Sequence, residues 1–302
     1  MTETAVSIAS AGLRLAGALR LPKGLVAGER RAAFLILHGF GSSKSSSNVV
    51  EPSKILNGLG YITLSFDMRG CGESEGERGR VICLEQVEDA RNAREFLARQ
   101  PYVDTQRIAV IGSSFGGAVA IYAAGVDERF AAVIANGGWG DGERKFRGQH
   151  KSPQEWARFT TMLKEGREYR ARTGQSLMVP RYEIVPIPPH LRGNLASNAI
   201  ESFPAETAQS MFDFRANDVV GRIAPRPLLL LHAANDSVTP TEQSIELFKR
   251  AGQPTELHLI SDADHFMFAG NNARVWELLR GWLACYFPAM EALRRAAAGA
   301  RH

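Results

Sequence analysis

Residues 107–117 read Arg-Ile-Ala-Val-Ile-Gly-Ser-Ser-Phe-Gly-Gly, and the fold turns on how that stretch is read. Arg107–Gly112 is an uninterrupted β-rich apolar run. Gly112-Ser113-Ser114-Phe115-Gly116 is a G-x-S-x-G centred on Ser114. The residues that follow, through Tyr122, are small and apolar, suited to a helix packed close against a sheet. Strand, sharp turn and helix in that order are what this motif needs, because the serine must be thrust out at the sheet edge on a strained turn. Glycines flank it because a side chain there would clash in the turn. The chain carries a second match, Gly72-Glu73-Ser74-Glu75-Gly76, which follows a charged glycine-rich loop and precedes Glu77-Arg78-Gly79-Arg80. With neither strand before it nor helix after it, Ser74 is set aside and Ser114 is the candidate nucleophile.

Working outward, similar runs recur at Ala32–His38, Tyr61–Asp67, Phe130–Ala135, Pro227–His232 and Glu256–Ile260. Continuous rather than alternating apolar residues suit strands covered on both faces, as in a parallel sheet. Between them the spacing predicts helices over Leu84–Arg99, Thr241–Ala251 and Ala273–Tyr286. Alternating strand and helix predicts an α/β fold with right-handed crossovers. The stretch from Val6 to Leu21, around Gly12, reads as an antiparallel hairpin at the sheet edge. The rhythm breaks once, after the Phe130 strand. There Ser152-Pro153-Gln154-Glu155 carries a helix-start signature. A charged amphipathic helix is predicted to about Arg172, and a second near Pro204–Phe214. The expected division is a core of residues 1–137 and 220–302, with a helical cap at 138–219. The Ala/Arg-rich tail from Ala289 is expected to fray.

Composition bounds the function classes. The 302 residues are 44% hydrophobic and 23% charged, ordinary values for a soluble globular chain. The three cysteines, Cys71, Cys83 and Cys285, form no CxxC pair, which argues against a disulfide framework or structural zinc and for reduced thiols in the cytoplasm. No targeting signal or membrane-spanning run is evident. The net charge of +4 comes largely from residues 141–192, where eleven Lys/Arg face six Asp/Glu. That reads as a solvated helix face, and no motif for nucleic acid accompanies it. Neither cofactor nor metal is called for, and the sequence is compatible with a homo-oligomer.

His38-Gly39-Phe40-Gly41, Asp67-Met68-Arg69-Gly70-Cys71-Gly72-Glu73-Ser74 and Gly112-Ser113-Ser114-Phe115-Gly116-Gly117 follow successive strands in that order. In this the chain resembles the α/β-hydrolase family, nearest to its dienelactone-hydrolase, prolyl-oligopeptidase and cinnamoyl-esterase branches, over roughly residues 5–137 and 220–287. The resemblance implies the α/β-hydrolase fold and a triad in the chain order Ser, Asp or Glu, His. Of seven histidines, His265 alone lies in a loop just after a late strand, so it is the expected general base. Asp236, in the loop after Leu228–His232, is the expected acid, and Asp264 is the alternative. The oxyanion donors are expected to be the backbone N–H groups of Phe115 and Phe40. The Phe40 side chain and Trp139 are expected on the substrate pocket. His38 is expected to serve as a structural hydrogen-bonder, and Asp67 and Arg69 to brace their loop. The implied reaction is hydrolysis of a carboxylic ester of a small or medium-sized substrate through an acyl-enzyme. Thioester, amide or carbon–carbon cleavage by the same triad, and a non-catalytic binding protein on this fold, are the alternatives.

Overall fold

Residues 2–269 and 272–290 are described by the computed structural model, so most of the tail expected to fray lies outside the described residues. In chain order the elements begin with β1 (Thr2–Ser10), β2 (Leu13–Leu21), β3 (Arg31–Leu37), α1 (Ser47–Gly58), β4 (Ile62–Phe66), α2 (Cys83–Ala98), β5 (Val103–Ser113), α3 (Phe115–Val126) and β6 (Val133–Asn136). An insertion follows, with α4 (Gly142–Gln149), α5 (Pro153–Thr173), β7 (Met178–Pro180), α6 (Arg181–Ile184), β8 (Ser202–Pro204) and α7 (Ala205–Asp213). The chain then returns to β9 (Leu228–Ala233), α8 (Glu242–Arg250), β10 (Thr255–Ile260) and α9 (Ala273–Tyr286).

Eight strands form one sheet in the order β1-β2-β4-β3-β5-β6-β9-β10. The hairpin β1–β2 is antiparallel, with Thr2 opposite Leu21, and β2 runs antiparallel to β4. From β4 to β10 the pairings are parallel. This is the α/β-hydrolase fold, with helices on both sheet faces. A period of two divides the continuous apolar runs between two cores. Ala33, Leu35 and Leu37 of β3 join the core containing α2 and α3, whereas Ala32, Phe34 and Ile36 join the one containing α1 and α9.

The chain passes from β3 to β4 on one side and then crosses to β5 on the other. That reversal opens a crevice at the carboxyl ends of β3 and β5, where ligands of open α/β sheets bind. Ser114 follows β5 at this point. In the insertion, α5 starts with the expected capping box, the Ser152 hydroxyl accepting from Glu155 N and the Glu155 carboxylate accepting from Ser152 N. The insertion is not purely helical, because β7 and β8 pair antiparallel as a small second sheet. Three α-helices, α1, α4 and the single-turn α6, arise where sequence reading assigned none. Among the described residues no helix is long and apolar enough to cross a membrane.

Candidate active site

Ser114 closes the turn between β5 and α3 with φ +56° and ψ −118°, a backbone conformation that a non-glycine residue adopts only under strain. The flanking glycines are sterically required. A Cβ on Gly112 would lie 2.1 Å from Gly116 O, and one on Gly116 would lie 2.6 Å from the carbonyls of Leu37 and His38. The β5–α3 turn is thus pressed against its own helix and against β3. The backbone fixes the serine from below as well, since Ser114 N donates to Asn136 O at 2.7 Å.

The three residues expected to form a triad converge. His265 Nε2 is 2.8 Å from Ser114 Oγ. On the other side of the ring, Nδ1 is 2.9 Å from Asp236 Oδ2 and 3.1 Å from Oδ1. Asp236 Oδ1 also accepts from the N–H groups of Val238 and Thr239 at 2.8 and 2.7 Å. Burial alone would raise the Asp236 pKa. The neighbouring His265 and His232 outweigh it and hold the carboxyl well below the usual carboxylate range. An ionised carboxylate fixes the imidazole with its proton on Nδ1 and its lone pair on Nε2 facing the serine.

Asp264, the alternative acid, faces elsewhere. Its Oδ1 accepts from Ser237 N at 2.8 Å and from the backbone N–H of His265 at 2.7 Å, so it ties the two loops that carry Asp236 and His265. Ser74 is likewise accounted for: its hydroxyl accepts from Ala16 N at 2.8 Å and donates to Asp67 O.

Gly39 borders the nucleophile, and a Cβ there would lie 3.9 Å from Ser114 Cβ. The loop it begins is heavily fixed. Ser42 N donates to Gly39 O at 3.2 Å, closing a turn whose third residue, Gly41, has φ +52°. The His38 ring bridges, Nδ1 donating to Gly39 O at 2.8 Å and Nε2 accepting from Met68 N at 3.0 Å. Burial pushes the imidazole pKa of His38 down, in keeping with a neutral ring in that bridge. Because the Gly39 carbonyl and the Phe40 N–H belong to one planar peptide, holding the first aims the second. Neither Phe40 N nor Phe115 N is spent on a backbone carbonyl. Asp67 and Arg69 do brace loops, but not by pairing with each other. Asp67 accepts from Lys44 N at 2.6 Å and from Lys44 Nζ at 2.7 Å, while Arg69 Nη2 bonds Asp89 at 2.6 Å.

A cavity opens over Ser114 and His265 between core and insertion. It is lined by the apolar residues Phe40, Val185, Ile187, Leu195, Val238 and Phe266 and by the polar residues Ser42, Ser46, Asn48, Asn194 and Arg181. Phe40 lies on it as expected and Trp139 does not. Trp139 is buried in the core instead, its ring centroid 5.7 Å from that of Phe115 and the Lys145 ammonium 4.6 Å from its own ring.

Two residues of the site were passed over in the sequence. His232, fully buried at the end of β9, stands 3.3 Å from Asp236 Oδ2 with Nε2 also 3.0 Å from Thr239 O, and its Nδ1 is 2.6 Å from Ser244 Oγ. Its spacing four residues before the acid is a signal that strand-end position alone concealed. Arg181 comes from α6 in the insertion, and nothing in the local sequence marks it.

Comparison with known proteins bears on the family and the fold. The family model described as serine aminopeptidase, S33, matches residues 28–271. The thiohydrolase aneE of Aspergillus aculeatus is 29% identical over 276 residues, covering 84% of this chain and 83% of its own. Among solved structures, the hypothetical protein PA2218 of Pseudomonas aeruginosa superposes with a TM-score of 0.80 at 24% identity, over 95% of this chain and 94% of its own. The α/β hydrolase GrgF of Penicillium sp. sh18 does so with 0.78 at 23%, over 95% and 99%. Both structural likenesses are likenesses of fold.

Proposed function

Since the chain belongs to the serine aminopeptidase S33 family of α/β hydrolases, we propose that it is a serine hydrolase that cleaves a carboxylic ester of a small or medium-sized molecule through an acyl-enzyme. The observation that carries this reading is the unbroken line Ser114 Oγ, His265 Nε2, His265 Nδ1, Asp236 Oδ2, with contacts of 2.8 and 2.9 Å. A serine hydroxyl is a poor nucleophile until a base takes its proton, and His265 is in reach to do so.

In the first half-reaction Ser114 Oγ bonds to the carbonyl carbon while its proton passes to His265 Nε2. Asp236 stabilises the imidazolium without taking the proton. The N–H groups of Phe40 and Phe115 are the donors for the oxyanion of the tetrahedral intermediate. Collapse breaks the bond to the leaving group, which departs with the proton from His265. Water then attacks the acyl-enzyme, His265 accepts its proton, and the free acid leaves as Ser114 regains a hydrogen. A lining that mixes Phe40, Val185, Ile187 and Leu195 with Ser42, Ser46 and Asn48 suits an acyl group with some polar substitution. A thioester is the second reading, favoured by the thiohydrolase relative. Burial pushes the Cys71 and Cys83 thiols up to about 12, so neither offers a competing thiolate near neutral pH.

Ser114→Ala is expected to lower turnover of p-nitrophenyl acetate by a factor on the order of 10³ or more. A fluorophosphonate probe should label the wild-type protein and not this variant. An unchanged rate, or labelling at another residue, refutes the assignment.

A further inference from the structure

The turn that carries Phe40 is held by the insertion, and one side chain makes most of the hydrogen bonds. Arg181 is 2% exposed. Its Nη1 donates to Phe40 O and its Nη2 to Gly41 O, both at 2.9 Å, while Nε donates to Ile200 O at 2.6 Å. Ile200 N adds a bond to Gly41 O at 2.9 Å. The guanidinium carbon lies 5.3 Å from the Phe40 ring centre and 5.2 Å from that of Phe203, and those two rings stack at 4.2 Å. Gly41 has to be glycine for this to fit, because a Cβ there would lie 2.4 Å from Phe203 and 2.9 Å from Arg181 Nη2.

We propose that Arg181 is a positioning residue for the reaction, setting the oxyanion-binding turn Gly39–Ser42 from the insertion. Two features take it beyond a tie between two parts of the fold. First, the bonds fall on consecutive peptides. His38 and Ser42 N hold the Gly39 carbonyl, and Arg181 holds the Phe40 and Gly41 carbonyls. Each planar peptide in the turn is therefore fixed at its oxygen, which leaves the Phe40 N–H a single direction. Second, Arg181 is among the residues lining the cavity over Ser114, and among the described residues no carboxylate forms an ion pair with its guanidinium. A cavity-lining residue therefore carries a positive charge without a paired carboxylate, in surroundings of low dielectric where it can act on negative charge that develops at Ser114. A group of this kind lowers the barrier without tightening ground-state binding, since the carbonyl carries full negative charge only on the way to the tetrahedral intermediate.

The inference rests on the hydrolase reading above. Arg181→Ala is expected to lower kcat on p-nitrophenyl acetate by roughly 10- to 100-fold with KM within about threefold, less than the loss of an oxyanion donor outright. Affinity for an alkyl boronic acid, which becomes tetrahedral on Ser114, should fall in parallel. Added methylguanidinium should restore part of the rate in Arg181→Ala and none in Arg181→Lys, whose single ammonium cannot bridge both carbonyls. Arg158→Ala, another arginine of the insertion that pairs with Glu183 on the surface, should leave kcat unchanged. If Arg181→Ala does not fold, Arg181→Lys carries the test, with a loss of kcat and boronate affinity of about tenfold. Labelled, folded variants with wild-type kcat, a loss confined to KM, or unchanged boronate affinity overturn this inference alone. A wild-type protein that takes no fluorophosphonate overturns the hydrolase reading, and this inference with it.

Discussion

Replacing Lys145 by Met should stabilise the protein, most strongly in mild acid. Lys145 projects from α4 and is 2% exposed, and its ammonium has no hydrogen-bond partner. Burial pushes its pKa down from 10.5 to about 7. At about 1.36 kcal/mol for each tenfold change in proton affinity, that displacement corresponds to a penalty on the order of 5 kcal/mol for folding with the lysine charged. The ring faces of Trp139 and Phe146, 4.6 and 3.9 Å from Nζ, attract the charge and offset part of that penalty. Met fills a similar volume and carries no charge, so a net gain of about 2–4 kcal/mol is expected below pH 7. The pH dependence supplies the sharper test. Between about pH 7 and 10.5 the unfolded chain holds a proton on this amine that the folded chain has lost, so wild-type stability rises with pH across that window. Below about pH 7 both states are protonated and the penalty is present in full. Urea unfolding of both proteins at pH 6, 7.5 and 9 should therefore show the variant's advantage greatest at pH 6 and shrinking by up to about 1.4 kcal/mol per pH unit above 7. An advantage independent of pH, or a variant less stable at pH 6, refutes the reasoning.

Two more outcomes concern the acid. Asp236→Asn should reduce kcat by a factor on the order of 10⁴, by the tautomer argument that holds for other triads, whereas Asp264→Asn should cost no more than about tenfold because it only ties loops; steady-state rates on one ester decide, and the reverse ranking would move the acid to Asp264. Because Asp236 is held well below the usual carboxylate range, it stays ionised as pH falls through 5, so the acid limb of kcat/KM should follow a single proton. A limb steep enough to need two protons between pH 4 and 7 would contradict this.

The sheet was legible because its strands are buried on both faces. Runs such as Ala32–His38 and Pro227–His232 leave no polar alternation to confuse with a helix or a surface strand. Ser114 was separable from Ser74 because a strand runs into it and a helix leaves it, as β5 and α3 do, whereas neither Gly72 nor Gly76 lies in a strand or a helix. What escaped lacked a local cause. Helix α1 follows a serine cluster, has no side-chain cap at Ser46 and contains Pro52, each of which argues against a helix; packing of Val49 and Leu56 into the core overrides them. Helix α4 is short and strongly polar, and its Phe146 is buried by a tertiary contact, stacking on Phe159 of α5 with centroids 4.5 Å apart. Trp139 was expected on the cavity from its place after β6, but its ring packs in the core against Phe115 instead. Arg181 meets Phe40 and Gly41 from about 140 positions away, a pairing that no spacing rule reaches.

The Arg181 clamp also bears on how such proteins are taken apart and rebuilt. Residues 138–219 look like an accessory that could be exchanged for another family member's to change what the cavity admits. The bonds to Phe40 O and Gly41 O mean that such a transplant would remove an anchor of the core itself. A chimera would have to restore a guanidinium in register with those two carbonyls, or accept a looser turn however well its new roof were packed.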